Sequence, residues 1–290
     1  MRAKIVAPAK QVDRKTIQEF IKYFSLNEIE CELGENLFSS SHYFSASDDQ
    51  RTTDLQKALD SDEIDVIFCA RGGYGTSRII DDLDFSKFVL NPKLIVGFSD
   101  ITVLLNHASN LGFPSVHASV GGIFDASNKV KMSSFFDLME ILKGGNCKME
   151  ASKNERNRSG KASAEVVGGN LSLLSHIVGT PSAIHDREII LAIEEVDEYL
   201  YAIDRMFVQL KRSGIFNLVK GVIIGHFSLI KDGNPSFGSL VEDIVLEHTP
   251  SHVPVGFNFP FGHKDENKPF FIGKKAELNV SRSGSSLVYL

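Results

Sequence analysis

The chain of 290 residues contains no tryptophan and three cysteines, and no stretch approaches the ~20 consecutive apolar residues that cross a bilayer. Each shortage removes a class of protein. Without tryptophan the best stacking platform for a nucleobase is missing. Cys31, Cys69 and Cys147 are odd in number and scattered, which argues against a disulfide framework and a clustered thiolate metal site and points to a reducing compartment. Positive charge is also scarce: the formal net charge is −6, so no global basic field exists to hold a phosphate backbone by counterion release, and nucleic acid is not an expected partner. The N-terminal "MRAKIVAPAK" is basic, but its apolar stretch is too short for a signal sequence and Pro8 interrupts it. These features predict a soluble, cytoplasmic protein without membrane attachment.

What is present suffices for a large fold. A hydrophobic content of 42% can fill one large core or two moderate ones, and two domains are expected. Short β-branched runs ("KIVAP", "IECEL", "VIFCA", "KLIVGF") alternate with amphipathic segments through residue 125. Asp13 is a plausible cap for a helix whose Ile17, Phe20, Ile21 and Phe24 share a face, and "TSRIIDDLD" reads as the opening of another helix. Residues 126–160, with "SNKVKMSS" and "ASKNERNRSGKAS", are polar and read as a linker. Residues 161–290 are richer in strands. The expected class is α/β: an N-terminal parallel sheet with helices on both faces (1–125), then a smaller strand-rich C-terminal α+β domain (161–290).

Two stretches stand out. "KLIVGFSDIT" puts Ser99 at a turn between a strand and a helix, where a hydroxyl is lifted above the sheet edge and the next N–H points toward the helix's positive end. The pattern lacks the second glycine of G-x-S-x-G, and Ser99 or Asp100 could equally be a helix cap. "CARGGYGTSR" places glycines from Gly72 to Gly75 between a buried strand and the next helix. It lacks the Lys-Ser/Thr ending of a P-loop. The loop is either a tight turn or a backbone cradle facing the ligand edge of the sheet.

A serine nucleophile needs a base and a group that holds the base's tautomer. Of nine histidines, His263 in "FPFGHKDENKP" lies in a glycine-, proline- and charge-rich loop of the kind that reaches a cleft; as metal ligands, "GHKDE" would be a poor set. "LAIEEVDE" delivers Glu194 and Glu195 at a strand's end, and because neighbours point to opposite faces only one of them can look into a site shared with Ser99.

Together the segments "ARGGYGTSRIIDDLD", "NPKLIVGFSDIT", "GGNLSLLSHIVGTP", "LAIEEVDEYLYAIDRMFVQLKRSG" and "FGHKDENKPFFIGKKAEL" resemble the LD-carboxypeptidase family, serine peptidases that include muramoyl-tetrapeptide carboxypeptidases and microcin C immunity peptidases. The resemblance covers nearly the whole chain. It implies a catalytic triad of Ser99, Glu194 and His263 assembled across two domains, with oxyanion donors from the Asp100 N–H and the Gly72–Gly73 turn. It also implies a murein peptide substrate losing its terminal D-alanine, no cofactor or metal, and a homodimer. Arg71 is a candidate for the substrate's terminal carboxylate, Asn170 for its amides (or as a helix cap), and Tyr74 and Phe98 for stacking. The chain departs from the family in reading "VHASV" at 116–120 where "H-G-P" is common. Two other readings are a same-fold peptidase acting on peptidyl- or aminoacyl-nucleotide toxins, disfavoured by the missing tryptophan, and a non-catalytic nucleotide or sugar-phosphate binder using Gly72–Gly75.

Overall fold

The computed structural model describes residues 1–145 and 147–290. The first half alternates strand and helix: β1 (Arg2–Val6), α1 (Arg14–Leu26), β2 (Glu30–Leu33), α2 (Asp48–Asp60), β3 (Val66–Cys69), α3 (Ser86–Leu90), β4 (Leu94–Gly97), α4 (Thr102–Asn110) and β5 (Ser115–His117). The second half holds α5 (Lys129–Leu142), β6 (Lys148–Ala151), β7 (Gly160–Asn170), α6 (Leu171–His176), β8 (Ile189–Val196), α7 (Leu200–Arg212), β9 (Val219–Ser228), α8 (Val241–His248), β10 (Val255–Gly256), β11 (Phe270–Ile272), β12 (Lys274–Ser281) and β13 (Gly284–Tyr289). Among the described residues no helix is long and apolar enough to cross a membrane.

Asp13 caps α1 as its position suggests, accepting the Thr16 N–H at 2.8 Å. The buried stripe of that helix, Ile17, Phe20 and Phe24, meets the sheet, with the Phe20 and Phe68 rings 4.7 Å apart. The helix expected at "TSRIIDDLD" is instead two 3₁₀ turns, Thr76–Arg78 and Ile80–Asp82, with α3 starting only at Ser86. The Thr76 N–H donates to the Asp100 carboxylate across the sheet edge (2.8 Å), so tertiary contact fixes this segment against its local helical pattern.

The strands form a six-stranded sheet ordered β11-β5-β4-β3-β1-β2 and a seven-stranded sheet ordered β10-β9-β8-β7-β12-β13-β6. In the first, β1 to β5 run parallel, and β11, from the far end of the sequence, closes the edge antiparallel to β5 with Phe270 opposite His117. The second is mixed: β10, β9, β8 and β7 run parallel, while β12, β13 and β6 are antiparallel. In the polar stretch 126–160, expected to be a linker, α5 buries Met132, Phe135, Leu138 and Met139 in the core that holds Phe20 and Phe24, and β6 pairs with β13.

One apolar core runs continuously between the sheets, taking Phe68 and Val96 from the first and Val166, Ala192 and Leu278 from the second. A second core lies on the outer face of the second sheet, where Val167, Leu191 and Ile193 pack on Ile203 and Phe207 of α7 and Ile244 of α8. Strand β8 is thus buried on both sides, its even-numbered residues facing the first sheet and its odd-numbered ones facing α7. The halves are locked in register where α4 crosses the end of β7. Asn106 Nδ2 donates to the Gly168 carbonyl (2.9 Å), the Gly168 N–H donates to Asn106 Oδ1 (3.1 Å), and the Asn170 N–H donates to Thr102 Oγ1 (3.1 Å). Gly169, at φ 134°, is required there, because a Cβ would stand 2.5 Å from Thr102 Oγ1.

Candidate active site

Ser99 follows β4 with a backbone that serine rarely adopts. Phe98 is extended and Ser99 has φ 63°, a left-handed conformation that costs about 1–3 kcal/mol in a non-glycine residue and persists only where the surroundings impose it. One 3₁₀ turn then leads into α4, and no side chain caps that helix. The turn leaves the Ser99 hydroxyl free to point across the cleft, where it lies 3.0 Å from His263 Nε2.

The glycine loop after β3 abuts this turn. A Cβ on Gly72 would lie 2.8 Å from Ser99 Cβ and 3.1 Å from its Oγ, so only a residue without a side chain lets the loop backbone approach the hydroxyl. Asp100 holds the loop from beneath: it is fully buried, and its Oδ2 accepts the Thr76 N–H. Burial raises the Asp100 carboxyl above its ordinary range, against the lowering effect of those N–H contacts.

The parity of β8 settles which acid faces the cleft. Glu194 shares the face of Ile190 and Ala192, toward the first sheet, and is 0% exposed. Its Oε2 accepts the His263 Nδ1–H at 2.7 Å, while Oε1 has no hydrogen-bond partner among the described residues. Glu195 turns the other way, accepting from Asn170 Nδ2 (2.9 Å) and the Ser172 N–H (2.7 Å). His263 itself sits on the loop between β10 and β11; its carbonyl accepts from Ser228 Oγ (3.1 Å) and its ring lies 4.8 Å from the Phe98 ring. Burial pushes the imidazole pKa down, but the hydrogen bond and charge of Glu194, with the charge of Glu195, more than offset this and leave it above its ordinary value. A carboxylate, an imidazole and a hydroxyl thus form one hydrogen-bonded chain drawn from both halves of the sequence.

Residues 3–118 match the N-terminal domain, and residues 163–278 the C-terminal domain, of LD-carboxypeptidases. The chain belongs to the LD-carboxypeptidase family. It is 31% identical to a probable murein peptide carboxypeptidase of Bacillus subtilis, over 96% of this chain and 88% of that one. It is 25% identical to the murein tetrapeptide carboxypeptidase of Pseudomonas aeruginosa, over 97% and 94%. The crystal structure of muramoyltetrapeptide carboxypeptidase from Oxalobacter formigenes superposes with a TM-score of 0.89 at 26% identity, over 100% of this chain and 98% of that one. The microcin C7 self immunity protein MccF in complex with aspartyl sulfamoyl adenosine shares the fold, with a TM-score of 0.86 at 18% identity over 99% and 95%. The protein is accordingly an enzyme, a hydrolase of the carboxypeptidase class.

The remaining expected site residues of this family member are placed unevenly. Arg71, beside Gly72, is half-buried and donates from Nη1 to the Gln11 carbonyl (3.3 Å). Tyr74 is exposed, its ring 5.9 Å from that of Phe44. Phe98 is buried and packs on His263 rather than offering a face to solvent. Asn170 is 3% exposed, with Nδ2 on Glu195 and Oδ1 accepting the Leu173 N–H (3.3 Å), so both ends of its amide are engaged and it serves as the cap of α6. Asp265, one of the acids beside His263, turns to Asn128 and Lys131. Sequence reasoning did not single out Asn267, which is buried inside the exposed run "KDEN"; the signal was an amide between charged residues and Pro269.

Proposed function

We propose that the enzyme is a serine LD-carboxypeptidase that removes the terminal D-alanine of murein tetrapeptides through an acyl-enzyme. The observation that carries this reading is the chain from Glu194 through His263 to Ser99, at 2.7 and 3.0 Å. Ser99 Oγ attacks the penultimate carbonyl carbon as its proton passes to His263 Nε2. The buried Glu194 carboxylate, held among the described residues by His263, stabilises the imidazolium and fixes the tautomer with its proton on Nδ1. The oxyanion accepts the N–H of Asp100 and one from Gly72 or Gly73. Collapse expels D-alanine, whose amine takes the proton from Nε2. His263 then deprotonates a water that attacks the ester and frees Ser99.

The substrate's free carboxylate is assigned to Arg71, which precedes Gly72 in the chain and whose guanidinium contacts the Gln11 carbonyl, with Tyr74 at the rim. Phe98 and Asn170 shape the site by packing and capping. The murein assignment is supported by the activities named for the Bacillus, Pseudomonas and Oxalobacter relatives. Cytoplasmic location accords with three unpaired cysteines, and we read the working unit as a homodimer, which sedimentation velocity tests. The division into an N-terminal domain ending near 125 and a C-terminal domain starting near 160 is part of the same reading, with α5 and β6 between them in the chain as packed, structured elements and not as a linker. Mass-spectrometric assay of defined tri-, tetra- and pentapeptides tests the function. The tetrapeptide loses D-alanine and Ser99→Ala abolishes the loss; turnover by Ser99→Ala, or efficient cleavage only of an aminoacyl-nucleotide, refutes it.

A further inference from the structure

The loop that carries His263 must hold one imidazole to within about half an ångström of its working position. Its middle residues, Lys264, Asp265 and Glu266, are exposed, but Asn267 is 1% exposed. A buried amide is costly unless its polar atoms are satisfied, and Asn267 is satisfied at each end. Oδ1 accepts the N–H of Gly262, the residue before His263, at 2.9 Å, and lies 3.3 Å from His117 Nε2. Nδ2 donates to Ser119 Oγ (3.2 Å), and the backbone N–H donates to Ser134 Oγ on α5 (3.3 Å). One side chain therefore ties the backbone next to His263 to the end of β5, and its own backbone is tied to α5.

His117 accounts for the direction in which the amide points. The ring is 0% exposed and packs among Phe98, Phe261 and Phe270, stacked on the last at 4.6 Å. Burial lowers its pKa to about 4; the charge of Glu194 and the bond to Asn267 oppose this, and the charge of His263 adds to it. The ring is thus neutral near pH 7 and carries a single N–H. On Nε2 that proton meets Asn267 Oδ1, whereas on Nδ1, which has no partner among the described residues, it would be a buried donor without an acceptor. The Nε2–H tautomer in turn forbids the reversed amide, which would set NH₂ against both His117 and the Gly262 N–H.

We propose that Asn267 is the positioning residue of the His263 loop and that His117, together with the Gly262 N–H, fixes the orientation of its amide, setting the reach of the imidazole to Ser99. This rests on the reading of Ser99, His263 and Glu194 as the catalytic chain. In the full-length protein, Asn267→Ala lowers kcat for D-alanine release by roughly 10–100-fold with KM within about twofold of the parent, because the misplacement affects the reacting atoms and not the peptide contacts. Asn267→Asp keeps an acceptor for Gly262, recovers most of the loss, and moves the acid limb of the kcat profile to higher pH, since the added carboxylate favours the imidazolium. His117→Phe suits the surrounding aromatic rings but removes one of the two donors to Oδ1, leaving the amide oxygen to the Gly262 N–H alone, and lowers kcat several-fold. The double variant is no slower than Asn267→Ala, because His117 acts only through the amide.

Kinetic constants of Asn267→Ala that both stay within about twofold of the parent, a loss confined to KM, or losses that add in the double variant overturn the proposal. If Asn267→Ala does not fold, an unchanged kcat in His117→Phe overturns it. Ser99→Ala in the same assay separates the two readings: residual turnover there removes the catalytic chain and this inference together, whereas an inactive Ser99→Ala beside an unaffected Asn267→Ala removes only the inference.

Discussion

Replacing Gly72 by alanine adds one carbon directly beside Ser99, the proposed nucleophile. Its φ lies outside the left-handed region that favours glycine, so the backbone accepts alanine and the effect is steric. The new Cβ would stand 2.8 Å from Ser99 Cβ, and ordinary contact begins at 3.4 Å, so the two must separate by about 0.6 Å. The Phe98 carbonyl at 3.1 Å and the Ser99 hydroxyl at 3.1 Å close the other escape routes. Because Ser99 is anchored in a strained turn between β4 and α4, the displacement falls on the oxygen's line to His263 and on the gap to the oxyanion donors. A misplacement of about 1 Å costs on the order of 100-fold in rate, so Gly72→Ala should lose roughly 10–100-fold in kcat, or about 1.4–2.7 kcal/mol of barrier. The assay couples released D-alanine to D-amino acid oxidase across a range of tetrapeptide concentrations, with thermal melting in parallel to confirm the fold. A folded variant with parental kcat would show that the Gly72 loop does not face the reacting hydroxyl.

Other outcomes follow from the same geometry. Glu194→Gln keeps the shape but removes the buried charge, and kcat should fall by about 10³–10⁴; with only the smaller effect of the Glu195 charge left against burial of His263, the surviving acid limb moves below the ordinary imidazole value, as a pH–rate profile will show. In the parent enzyme that limb lies above it, because His263 must be unprotonated to act as a base and its pKa is raised. The stability linked to this pair has the opposite trend: it is fully present below the unfolded imidazole pKa and is lost as pH rises through the elevated one, which urea melts at several pH values measure. Asp100→Ala orphans the Thr76 N–H and releases the glycine loop, with an expected loss of about 1–3 kcal/mol in urea unfolding together with a lower kcat; unchanged unfolding would mean that the loop is held by other contacts.

Much of this was legible in the residues. The stripe Ile17, Phe20 and Phe24 and the cap Asp13 specify α1 locally, and the β-branched runs specify the parallel strands, because these signals act within a few residues. The departures arose where distant contacts took precedence. Thr76 gives its N–H to Asp100 instead of to a continuing helix. The α5 pattern Met132, Phe135, Leu138 and Met139 lies among lysines and serines that pointed to a linker, and burial against Phe20 and Phe24 makes it a helix of the core.

The sequence by itself determined that Ser99 sits on a strand-to-helix turn, that a glycine-rich segment follows β3, and that adjacent acids at the end of β8 face opposite ways, since each depends on local stereochemistry or on strand parity. Strand parity and loop composition left open which acid turns inward and which of nine histidines reaches the hydroxyl; the family resemblance implied Glu194 and His263, and the tertiary structure is what brings both to Ser99 and places Asn267 and His117 behind them. Those choices depend on the register between the sheets, set by α4 on the Gly168–Asn170 corner and by β11 on β5, contacts between segments more than 60 residues apart in the chain.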